Sequence, residues 1–252
     1  MTRTVADAAL MLNVCAGPDE RDQYSLPAER VDYVKALGRS LKGLRVAYTD
    51  DLGFADAVDP EIRAVCAKAA KAFRETGSRL ETVKPGWPSP RDCWYEIFCG
   101  GIATRLAPYR DRRDEIEPGL SQIIESELRN PPTRYVQAWF DRLAWWEHPR
   151  RFFETYDLLL TPTIACAPFA VGLDNPAEIA GTPVAPYAWI PFTFPFNMTG
   201  QPAASVPCGF TREGLPIGLQ IVGRRGDDVT VLRAAAAFER VRPWAQHRPP
   251  LD

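Results

Sequence analysis

The chain has 252 residues, enough to bury roughly three quarters of the surface an unfolded chain exposes, and its 46% apolar and 25% charged residues are those of an ordinary globular protein. With 30 Lys and Arg against 32 Asp and Glu, it lacks the basic excess of a nucleic-acid binder. No apolar run approaches the roughly 20 residues of a membrane helix, and the first residues, MTRTVADAALML, lack the pattern of a secretory signal. A cytoplasmic protein acting on a small molecule or another protein is expected. Cys15, Cys66, Cys93, Cys99, Cys166 and Cys208 form no CxxC pair, so buried free thiols are expected rather than disulfides or a zinc cage. No metal or cofactor is anticipated.

In chain order, Thr4 with Asp7 reads as an N-cap with an acidic first turn, opening a helix that runs to the Gly17, Pro18 stop. Residues 19–30 form a polar connection, and residues 44–48 a short buried strand. Asp59, Pro60 and then Ile62, Val65, Cys66, Ala69 and Phe73 on one face, with Gly77 beyond, specify an amphipathic helix. SRLETV returns as a strand, and strand, helix, strand in this spacing is a parallel crossover, so the class is α/β. Residues 94–156 are mainly helical, with breaks near Pro108, Pro118 and the pair Pro131, Pro132. YDLLLTPT reads as a central strand buried on both faces. The proline-rich residues 162–195 are too long for an ordinary connector and make a candidate functional loop. PAASVPCGF and PIGLQIVG form a hairpin turning at Gly214, and a last helix starts at Asp227 or Asp228.

Few side chains suggest an independent active site. His148 and His247 stand outside any base-presenting motif, and no Ser lies in a GxSxG elbow. Ser205 reads as a small residue packed in a sheet, and the VGRRGDD turn as a capped helix start, since Asp227 and Asp228 occupy the place an anion would take. Cys93 and Cys99 have no His partners for a metal. The aromatic stretch carrying Arg142, Arg150 and Arg151 is read as core rather than as an interfacial membrane helix.

Three stretches, TRTVADAALMLNVCAG, YDLLLTPT and above all FNMTGQPAASVPCGFTREGLPIGLQIVGRRGDD, resemble the amidase signature family, serine hydrolases of amide carbon-nitrogen bonds. The resemblance covers nearly all of this chain but only the carboxy-terminal half of the family's domain. It implies an α/β/α fold with a mixed, mostly parallel central sheet flanked by helices, of which residues 1–252 make a single partial domain. It also implies that the serine nucleophile, the second serine in a cis peptide and the lysine base belong to a Gly-Ser-rich amino-terminal half. Met1 is therefore expected to be an internal methionine, the chain to be a truncated or divided product, or a gene read from too late a start, that is inactive alone, and none of its residues to be catalytic.

Within the resemblance, Trp189, Ile190, Phe192, Thr193, Phe194 and Asn197 are the expected substrate-binding residues, with Asn197 equally suited to bonding backbone in a neighbouring loop. Relatives that take ammonia from glutamine within amidotransferases carry an Asp three positions before the Thr; here that position is Ile190, which implies apolar or aromatic amide substrates rather than glutamine. The alternative expectation is a non-catalytic fragment or subunit that binds an amino-terminal partner half or self-associates; LRVAY and DLLLTPTIACAPF, which stay apolar as if still covered, favour truncation over such an adapted module and predict dimers or aggregates.

Overall fold

A computed structural model describes residues 1–27 and 31–248. The last three residues of the connection 19–30 lie outside the described residues. The Thr4 hydroxyl accepts from the Asp7 amide at 3.1 Å and opens helix α1, Val5–Cys15. A single turn that the sequence did not signal, α2 (Tyr33–Ala36), is capped by Asp32; four residues are too few to show a period. Strand β1 (Arg45–Tyr48) leads to α3 (Pro60–Lys71), where the Asp59 carboxylate accepts from the Glu61 amide at 2.7 Å. A 3-10 turn, Ala72–Thr76, then ends at Gly77 with φ 85°, the left-handed stop for which glycine is suited. Strand β2 (Arg79–Thr82) follows.

Helix α4 (Arg91–Leu106), a 3-10 stretch Ala107–Glu115, and helices α5 (Pro118–Glu127), α6 (Pro132–Trp145) and α7 (Glu147–Thr155) fill the middle of the chain. Pro118 and Pro132 stand in first turns, where a missing N–H costs nothing. Strand β3 (Leu158–Pro162) precedes the proline-rich stretch, which holds a two-strand ribbon, β4 (Glu178–Ile179) with β5 (Thr182–Pro183), and ends in α8 (Phe194–Thr199). The hairpin β6 (Ala203–Phe210) and β7 (Pro216–Gly223) turns with Gly214 at φ 83°, and α9 (Asp228–Val241) is capped by Asp227.

The main sheet has the order β2-β1-β3-β7-β6. β1 is parallel to β2 and β3, while β7 is antiparallel to both β3 and β6. β6 thus runs with β3, and β7 alone is reversed: a mixed, mostly parallel α/β sheet, as expected. Leu158, Leu159 and Leu160 are 0% exposed, the burial that an inner strand with apolar runs requires. Phe73 stacks on Phe238 at 5.5 Å, joining the 3-10 turn after α3 to α9.

Two expectations are corrected. LRVAY and DLLLTPTIACAPF are not a face awaiting a cover: Val46, Ala47, Leu158, Leu159, Leu160 and Ala165 are fully buried because β1 and β3 lie inside the sheet of this chain. Open apolar surface lies instead along the edge strand β6 and on the outer side of α6, where Val136, Phe140 and Leu143 are exposed. Among the thiols, Cys15 is exposed, since the last turns of α1 present Met11, Val14 and Cys15 outward. No described helix is long and apolar enough to cross a membrane.

Candidate functional site

The predicted residues form one continuous turn and helix at the end of the proline-rich stretch. Beyond β3, the Thr163 amide donates to the Gly218 carbonyl at 3.0 Å, and the Ala165 amide donates to the Trp189 carbonyl at 2.9 Å. The Ala165 carbonyl in turn accepts from the Asp59 amide at 2.8 Å. Residue 189 is therefore anchored next to the start of α3. On its other side, Asn175 Oδ1 accepts from the Tyr187 amide at 2.8 Å and from Trp189 Nε1 at 3.3 Å. Tyr187 has φ 63°, a left-handed backbone that costs a bulky residue energy and persists only where neighbours fix it. The Asn175 bond and the packing of the Tyr187 ring against Trp94, Tyr95 and Phe98 do so.

From there the chain turns twice. The Ile190 amide donates to Tyr187, and the Thr193 amide and hydroxyl both donate to the Ile190 carbonyl at 3.2 Å. The amides of Phe196 and Asn197 donate to the Thr193 carbonyl, opening α8, which Gly200 closes at φ 72°. Beneath this, Gln220 Nε2 donates to the Phe192 carbonyl at 2.7 Å and to Thr161 Oγ1 at 3.0 Å. Arg142 Nε donates to the Met198 carbonyl at 2.6 Å while its guanidinium lies 4.8 Å from the Trp139 ring centre.

Exposure separates the six predicted residues. Trp189, Ile190 and Thr193 are half-buried, and Asn197 is exposed. Phe192 is 0% and Phe194 2% exposed. Phe194 stacks on Trp94 at 4.9 Å and also borders a cavity of about 290 Å³ with Phe54, Arg91, Val184 and Pro191. Burial raises the Tyr187 phenol above its ordinary pKa and pushes Tyr95 up to about 12, so both are neutral hydrogen-bonding groups at physiological pH.

Sequence reasoning missed Asn175, Tyr187, Gln220, Arg142 and Trp94 as supports of this segment. Gln220 alone left a signal: a carboxamide within the apolar run PIGLQIVG must find a partner when buried. The sites weighed for unrelated chemistry stay apart. His148 packs by Trp145 and His247 by Phe210. The Ser205 hydroxyl shares a 2.7 Å hydrogen bond with Thr163 at the open edge of the sheet. Gly218 makes room for that pair, since a Cβ there would stand 2.7 Å from both oxygens. Among the described residues, no cluster of three metal-ligating side chains occurs.

The family model for amidases matches residues 1–232. The chain belongs to the amidase family. An acylamidase from Rhodococcus erythropolis is 39% identical over 99% of this chain and 53% of its own length. The A component of glutamyl-tRNA(Gln) amidotransferase from Myxococcus xanthus is 32% identical over 100% of this chain and 56% of its own. Among solved structures, a bacterial aryl acylamidase of the amidase signature family superposes with a TM-score of 0.88 at 32% identity, covering 97% of this chain and 53% of that one. This amidase-family chain spans about half the length of the relatives it matches.

Proposed function

We propose that this chain is the carboxy-terminal portion of an amide hydrolase that cleaves the carbon-nitrogen bond of acyl or aryl amides with an apolar body, and that residues 189–197 wall its substrate channel. The observation that carries this reading is the character of the segment: residues 187–199 hold no charged side chain, and Trp189 and Ile190 are half-open on a backbone fixed from both sides. The segment itself offers an ammonium or carboxylate no counter-charge to offset lost hydration, and the Arg91 guanidinium that borders the cavity at Phe194 is engaged by the Pro186 carbonyl and Asp92. An aromatic or aliphatic group gains from the same surface. Asn197 offers the substrate amide both donors and an acceptor, and the Thr193 hydroxyl, donating to Ile190, keeps its lone pairs for an amide N–H. The bond-breaking step is assigned to the part of the relatives' length that this chain does not span. The unpaired thiols fit a reducing, cytoplasmic setting.

A second reading, association with an amino-terminal partner half or with a second copy, is favoured by β6. Among the described residues that strand pairs along one side only, with Ala203, Ser205, Pro207 and Phe210 exposed, beside an apolar groove of about 720 Å³ bordered by Leu12, Ile62, Ile164 and Leu232. An open edge of this kind invites pairing.

The test is substrate preference in the native protein. An aromatic anilide is expected to exceed free glutamine in kcat/KM by at least about tenfold, the scale an apolar pocket provides; a preference for glutamine would overturn the assignment.

A further inference from the structure

Cys66 on α3 and Cys208 on the edge strand β6 stand 142 positions apart in sequence, yet their sulfurs approach to 3.9 Å. Cys66 is fully buried and Cys208 half-buried. The Cys66 thiol also lies 3.7 Å from the Gly218 carbonyl. The other thiols make no such sulfur–sulfur contact among the described residues: Cys15 is exposed, Cys93 points at the Pro90 carbonyl and the Met198 sulfur, Cys99 bonds with Tyr95, and Cys166 is buried. The fold therefore selects one pair from six cysteines.

We propose that Cys66 and Cys208 are an oxidation site at which a peroxide installs a reversible disulfide between α3 and the open edge of the sheet. The order of events follows from exposure. Cys208, which solvent reaches, takes the peroxide's terminal oxygen, becoming a sulfenic acid as the peroxide leaves as water or an alcohol. Cys66 attacks that sulfur; its thiol hydrogen and the sulfenic hydroxyl leave as water and the S–S bond forms, so two thiols lose two electrons and the peroxide gains them. The contact with Cys208 and burial hold the Cys66 thiol well above the ordinary range, which disfavours Cys66 as the first sulfur to be oxidised. Cys208 stands at the register shift between Pro207 and Gly209, an irregular point of the strand.

The bridge would join segments far apart in sequence and restrict the unfolded chain accordingly. It would also pin the part of β6 that continues from Ser205 and the groove beside it. This inference stands independently of the amide reading.

The test is intact-mass measurement of the Cys15→Ser protein after hydrogen peroxide treatment. The expected result is a loss of two hydrogens, a peptide pair joining Cys66 to Cys208, a raised melting temperature, and reversal of all three by dithiothreitol. In a further Cys66→Ala variant, Cys208 should instead gain oxygen and yield no cross-link. Should Cys66 resist that substitution, trapping the sulfenic acid at Cys208 in the Cys15→Ser protein with dimedone before bridging gives the same readout. Cross-linking of a different pair, or oxygenation of Cys208 with Cys66 still titrating as a thiol, would overturn the proposal. So would an unreacted pair under conditions that oxidise Cys15 fully in the unsubstituted chain.

Discussion

Gln220 fastens Phe192 to the sheet: its side-chain amide donates to the Phe192 carbonyl at 2.7 Å from the middle of β7, and both residues are buried. The same group reaches Thr161 Oγ1 at 3.0 Å, on β3. One carboxamide thereby links two inner strands to the turn that precedes α8. Gln220→Leu would leave the Phe192 carbonyl without its donor in a dry setting. A loss of about 1–3 kcal/mol is expected for such an orphaned group, read as a lowered urea midpoint with an unchanged slope.

Phe194 and Asn197 lie on the same short helix and should behave oppositely. Phe194→Ala removes a ring stacked on Trp94 and is expected to cost about 3–5 kcal/mol of stability. Asn197→Ala, at an exposed position, should stay within about 0.5 kcal/mol of the parent while lowering kcat/KM of the native protein for amide substrates. Unfolding curves and kinetics on the same two variants separate the roles.

At Gly53, φ is 97° and a Cβ would stand 2.6 Å from the Gly86 Cα and the Trp87 nitrogen. Neither backbone atom is free to yield. Gly53→Ala should cost more than about 2 kcal/mol from overpacking and the left-handed backbone together. Gly214→Ala meets open space at φ 83° and should cost only the backbone contribution of about 1–2 kcal/mol. Thermal unfolding of the two variants gives the comparison.

Asp32 accepts from the Lys35 amide at the start of α2 and from the Asn13 side chain of α1, which lowers its carboxyl from 3.8 to about 2. A depressed folded pKa means that the stabilisation is present above the unfolded value and is lost as pH falls through the folded one. Protection of the Lys35 amide from hydrogen exchange should therefore decline between pH 3.8 and about 2. Asp32→Asn should flatten that decline.

Ile190→Asp tests the apolar character assigned to the channel. A carboxylate in place of a half-buried isoleucine should reduce kcat/KM for anilides by about 10- to 100-fold, through the lost apolar contact and the charge placed beside it, and should move preference towards substrates with an amino group.

Much of the scaffold was legible in the sequence where local chemistry and the fold agree. Asp59 and Pro60 open α3, and Gly77 stops the 3-10 turn that continues it, because cap, first turn and left-handed stop each demand their residue type. The run at β3 announced a central strand because only burial on both faces tolerates it. Helix α8 left no trace in the sequence, since six residues containing Pro195 carry no period and its stabilising contacts come from elsewhere. Tyr187 in a left-handed backbone runs against the preference of its type and depends on Asn175, 12 positions away. The surface expected to be bare was misplaced for a related reason: apolar sequence reports burial but not by what, and β1 and β3 are covered by their own chain.

Whether residues 189–197 wall the channel of an amide hydrolase is decided by photolabelling the native protein with an anilide that bears a diazirine on its ring and mapping the modified residues. Label is expected on Trp189, Ile190, Thr193 or Asn197, suppressed by excess unlabelled anilide. Label confined to the groove beside Ser205, or spread over the surface and insensitive to competitor, would contradict that placement of the substrate.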